Sequence, residues 1–224
     1  MAASGGPPAK ALRTPRAAGI AGVVSAVMLG GAMILVRKAI PGHPVAAATW
    51  LADSSSRDAL KVALALLPFG GIAFLWFMGA VRDFVGGRED RFFATVFLGS
   101  GLLYVAMLLV FGAVASAFLL TIDKMRDTSQ ATDLWHYGRY LTVALLTEYA
   151  PRMAGVFTLT STTIGTRLGI MPRWLSMLGY LVGLVLLLIV SSITWSEIVF
   201  PCWVLVVGIF LITHQVRGIP DGDG

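Results

Sequence analysis

The sequence predicts an all-α protein, a polytopic transmembrane helix bundle of six spans, and three observations carry that expectation. Hydrophobic residues fill 57% of the 224 positions and charged residues only 13%, a balance that leaves a water-soluble fold too little polar surface. The mean hydropathy is +0.81. Six stretches approach the roughly 20 apolar residues that cross about 30 Å of hydrocarbon: residues 17–36, 60–81, 92–120, 141–167, 174–194 and 198–214.

The first stretch, AAGIAGVVSAVMLGGAMILV, follows Lys10, Arg13 and Arg16 and ends on Arg37 and Lys38. Its length and that basic stop mark a retained anchor rather than a cleaved signal. Residues 1–16, with Gly5, Gly6, Pro7, Pro8 and Pro15, read as a flexible cytoplasmic tail, and residues 215–224 as another. Between the first two spans Pro41, Gly42 and Pro44 form a turn. Ser55 and Asp58 then have the spacing of a capping box, which would start the second helix.

The third helix, from Arg91 to about Leu120, would reach roughly 43 Å, longer than the hydrocarbon is thick. Residues 141–149 of the fourth exceed it likewise, so the two helices are expected to project as a hairpin capped by DKMRDTSQATDLWHYGRY. Trp135, His136 and Tyr137 in that cap have the aromatic character of partner surfaces. At the fifth helix Pro172 suits a first turn, Arg173 the headgroups and Trp174 the aromatic belt.

Helices in lipid associate through close packing at small residues. Gly22, Ala26 and Gly30 in the first helix, Gly112 and Ser116 in the third, and Gly179 and Gly183 in the fifth supply these at helical spacing. The fourth helix carries a longer seam, Gly155, Thr158, Thr162, Gly165 and Gly169, along one face. That face reads as packing surface, or alternatively as a polar path in which Thr158 and Thr162 touch a ligand.

Glu148 and Arg152 stand four residues apart, the spacing at which opposite charges meet on one helix face. Measured from Arg167 at the membrane surface, Arg152 lies about 22 Å and Glu148 about 28 Å along the helix, close to the far interface. Pro151 between them removes a backbone hydrogen bond and bends the chain. The pair is expected to be an interfacial ion pair, with ligand contact as its functional alternative.

Little chemistry is written into the remaining residues. His43, His136 and His214 are isolated in sequence, and Cys202 is the lone cysteine, so no metal site or cofactor is expected. The stretch FLGSGLLY resembles the serine motif of intramembrane rhomboid proteases, but Leu98 stands where that motif has its first glycine. Gly99, Ser100 and Gly101 are read as packing residues, and no catalytic residue is assigned. The net charge of +5 falls on residues flanking apolar segments, which points to anionic headgroups and excludes nucleic acid as partner. Lys10, Arg13, Arg16, Arg82, Arg88, Arg91, Arg167, Arg173 and Arg217 fall on one side, slightly more than on the other. Both termini are therefore placed in the cytoplasm of a bacterial cell.

The stretch MPRWLSMLGYLVGLVLLL, with the basic tail before the first helix and the alternation of spans and basic loops, resembles uncharacterised bacterial six-helix integral membrane proteins of the domain-of-unknown-function type, actinobacterial in character. The resemblance implies the six-span layout and no catalytic residue. The expectation is a non-catalytic accessory or scaffolding subunit of a larger membrane complex, with lipids and other membrane proteins as partners. The alternative is a small-molecule or lipid transporter, or a lipid-handling protein, with its path along helix four.

Overall fold

The computed structural model describes residues 15–40, 53–85, 90–122, 128–188 and 195–213. Every element among them is helical: α1 (Pro15–Ala39), α2 (Ser54–Val85), α3 (Arg91–Ile122), α4 (Thr128–Ala144), a π turn (Leu145–Tyr149), α5 (Ala150–Arg167), α6 (Arg173–Leu188) and α7 (Ser196–Thr213). Because α4, the π turn and α5 are continuous, they make one rod, and the bundle has six. Four of these helices, α1, α2, α3 and α7, are long and apolar enough to cross a membrane. α6 is apolar but shorter, and α5 is diluted by its threonines. The tails at 1–14 and 214–224, and the turn at Pro41, lie outside the described residues.

α2 begins two residues earlier than the Ser55–Asp58 pattern predicts. Asp53 caps it, its carboxylate accepting the Ser55 amide at 3.0 Å and the Ser56 hydroxyl at 2.6 Å. These bonds, the Ser56 hydroxyl first among them, hold the Asp53 carboxyl below its ordinary 3.8, and they favour its charged form at the positive end of the helix. Asp58 instead pairs with Lys61 at 3.1 Å. The expected box is thus replaced by a carboxylate that reaches the same free amides from outside the helix.

The fourth rod begins at Thr128, well before the apolar stretch that reveals it in sequence. Its 40-residue course from 128 to 167 would be about 60 Å long, and α3 beside it about 48 Å. The two stay packed toward their shared end: Phe118 meets Trp135 at 5.8 Å between ring centres. A Cβ at Gly138 would stand 2.7 Å from the Phe118 ring, so only glycine permits that approach.

At mid-height the core is aromatic. The Phe74 ring lies 5.5 Å from Tyr104, 5.1 Å from Phe157 and 5.5 Å from Phe200, which joins α2, α3, α5 and α7 through one side chain. Edge-to-face contacts at these separations add attraction beyond burial alone.

Small residues set the crossings around this centre. α1 packs most extensively on α2 and then on α7, and α5 on α6 and then on α3. Gly22 faces Phe77, Gly30 faces Pro201, and the Ser25 hydroxyl donates to the Gly70 carbonyl at 3.2 Å. Gly155 meets the Gly183 carbonyl, and Gly179 admits the Thr162 side chain. Gly165 holds Met171 of the following turn, and Ala26 is buried. Gly112 departs from the expected pattern, because a Cβ there would meet nothing within 4 Å. A further close backbone crossing, Gly19 against Gly208 between α1 and α7, was not signalled by spacing within either helix.

Candidate functional site

Glu148 and Arg152 meet as their spacing predicts. Arg152 Nη1 lies 2.6 Å from Glu148 Oε2 and also donates to the Glu148 backbone carbonyl. Both side chains are 38% exposed, which places the pair on the bundle's flank rather than in its interior. The helix defect stands just ahead of Pro151, as a π turn in which the Ala150 amide reaches back to the Leu145 carbonyl. Pro151 has no N–H to offer the Thr147 carbonyl. Widening the turn moves that carbonyl away from the proline ring, and the arginine bonds the carbonyl beside it.

A second charged pair lies close by and was invisible in sequence, its members being 160 residues apart. Arg37, at the end of α1, donates to Glu197, at the start of α7, at 3.4 Å; the side chains are 20% and 9% exposed. The Arg37 guanidinium also lies over the Trp195 ring at 5.8 Å. Trp195 has φ +70, a left-handed conformation that a bulky residue holds only where its surroundings enforce it. Glu197 Oε2 is buried and has no hydrogen-bond partner among the described residues. Pro201, four residues on, has no N–H for the Glu197 carbonyl.

The Arg37–Glu197 pair and the π turn share a small cavity lined by Arg37, Glu197, Thr142, Thr147 and apolar residues including Phe111 and Leu146; Glu148 and Arg152 do not line it. Thr142 and Thr147 donate their hydroxyl protons to their own helix, to the Gly138 and Val143 carbonyls. Their oxygens keep only lone pairs for neighbours. This end of the bundle thus gathers a charged pair, a π turn and two acceptor hydroxyls around a space of about 20 Å³, enough for one water, with Trp195 stacked on the outer partner Arg37.

The threonine face of α5 is spent on packing. Thr158 donates to the Ala154 carbonyl at 2.8 Å and is fully buried. Thr162 is buried against Gly179 of α6, and Thr166 donates to Ser176 of α6 at 2.8 Å. Of the expected partner residues, Trp135 is buried under Phe118, whereas His136 and Tyr137 are exposed. Ser100 donates to the Val96 carbonyl at 2.6 Å, a bond within its own helix. His43 and His214 lie outside the described residues. Comparison with family models, curated proteins and solved structures gives no match.

Proposed function

We propose that this chain is a non-catalytic subunit of a bacterial cytoplasmic-membrane complex, crossing the membrane six times with both termini inside. The observation that carries the reading is the fate of the α5 threonine face. A polar path along the fourth helix needs those hydroxyls free, and α6 covers them through Gly155–Gly183, Thr162–Gly179 and Thr166–Ser176. The aromatic cluster around Phe74 closes the centre at the same height.

Two features support lateral association. An apolar groove of about 480 Å³ opens between α6 and α7, lined by Leu178, Val182, Ile198, Val199 and Cys202 among others. On α3, Gly112 and Ser116 form a small-residue notch with no Cβ-distance neighbour at Gly112, a surface against which another helix can pack closely. The partner is a transmembrane helix of another protein. A photo-crosslinking residue at Val182 or at Ser116, in native membranes, should yield an adduct to one and the same membrane protein, and none at the outward-facing Trp76. Lipid adducts alone at all three positions would rule the reading out.

A further inference from the structure

A second cavity lies at the opposite end of the bundle from Arg37 and Glu197. Its walls come from α1, α2, α3, α5, α7 and the turn after α5. Phe77, Phe157 and Trp203 line one end, and Val85, Gly165 and Leu211 the other. On each of those three helices the lining residues span eight positions, about 12 Å of rise. That is close to the depth of one leaflet, half of the roughly 30 Å hydrocarbon core. The lining is apolar except for Ser161, whose hydroxyl is already bonded to the Phe157 carbonyl at 2.7 Å, and Arg82.

Arg82 is exposed, and among the described residues it has neither an ion pair nor a hydrogen bond. Arg16, two residues before the lining Ala18, and Arg167 and Arg173, on either side of the lining Ile170 and Met171, stand at the same end. Among the described residues the acidic groups there are Asp83 and Asp90, and Asp90 is engaged by the Phe92 amide at 3.1 Å. The mouth is therefore net basic. An apolar slot parallel to the helices, with an exposed guanidinium at the depth of the headgroups, matches one amphiphile chemistry: an acyl chain bearing an anionic head.

We propose that this cavity is a binding site for such a chain, with its head on Arg82 and its tail running toward Phe77, Phe157 and Trp203. The cavity is narrow, with about 50 Å³ of free space. Met171 in the wall is unbranched, and by turning aside it would widen the slot to admit a single chain. The inference is independent of the subunit reading, since the slot and the α6–α7 groove are separate cavities that have only Trp203 in common.

Native mass spectrometry of the full-length chain, released from micelles after exchange with phosphatidylglycerol, phosphatidylcholine of the same chains, or oleate, tests it. One anionic molecule should stay bound, and Arg82→Gln should weaken its retention by at least about tenfold, as expected for losing a hydrogen bond to a charged group. Ser161→Leu fills the slot without removing any bond between helices and should weaken retention as much; Ala18→Met is the second filling variant if the first does not fold. Retained phosphatidylglycerol would identify a phospholipid tail as the occupant, and retained oleate a free fatty acid. Phosphatidylcholine held equally well, with no effect of Arg82→Gln, would overturn the proposal. So would unchanged retention in a folded filling variant, since the lipid would then lie on the outer surface.

Discussion

Replacing Arg37 by Met leaves the Glu197 carboxylate buried beside α1 without its counter-charge. Removing one member of a fully buried pair costs about 3–5 kcal/mol. The pair here is looser: Arg37 is 20% exposed and the contact is 3.4 Å. Partial access to water reduces the expected loss to about 2 kcal/mol. The double variant Arg37→Met with Glu197→Leu removes both charges and also the unpartnered Oε2, so it should recover most of that loss. A double-mutant cycle, read by reversible unfolding of the detergent-solubilised protein in increasing sodium dodecyl sulfate, should give a coupling of about 1–2 kcal/mol. Additive losses from the two single changes would refute the reasoning, because the ends of α1 and α7 would then not be held by this pair.

Gly155→Leu should destabilise by about 1–3 kcal/mol through overpacking, because a Cβ there already lies 3.0 Å from the Gly183 carbonyl; the same unfolding assay should show Gly112→Leu costing less than about 0.5 kcal/mol. Thr162→Val should be neutral or stabilising, since it removes a buried hydroxyl oxygen that has no partner among the described residues; a clear loss on unfolding would reveal a bond that the packing against α6 does not provide. Asp53→Ala should weaken the start of α2 at neutral pH. Its folded-state carboxyl is held below 3.8, so its stabilisation is complete above that ordinary value and is lost as the pH falls through the depressed one. Helicity followed by circular dichroism from pH 5 to pH 2 should therefore change less in the variant than in the parent. Glu148→Ala should cost only about 0.5 kcal/mol, as half-exposed pairs four residues apart do.

Hydropathy made the apolar helices legible because each must satisfy its own backbone in lipid. The same logic understated the fourth rod: residues 128–140 are helical but polar, and hydropathy has no signal for a helix held by Phe118 and Trp135 against its neighbour. Local spacing exposed the Glu148–Arg152 pair and the α5–α6 seam, where cause and effect lie within one or two turns. It could not expose Arg37 with Glu197, nor Gly19 with Gly208, because nothing within either helix marks which distant segment it will meet. Gly112 shows the converse, a residue with the right spacing where an added Cβ would meet nothing within 4 Å among the described residues. Pro151 announced a defect but not its form; the extra residue of the π turn is accommodated upstream, where the proline's missing N–H leaves a carbonyl free.

Water access to the fourth helix tests the account most directly. Single cysteines at Tyr137, Thr162 and Arg173, in a chain whose Cys202 is replaced by Ala, can be probed with a membrane-impermeant maleimide in sealed vesicles of either orientation. The bundle predicts that positions 137 and 173 label from opposite faces and that position 162, closed against Gly179, labels from neither. Labelling at 162 from either face would contradict the closed bundle and put a hydrated path along α5 in its place.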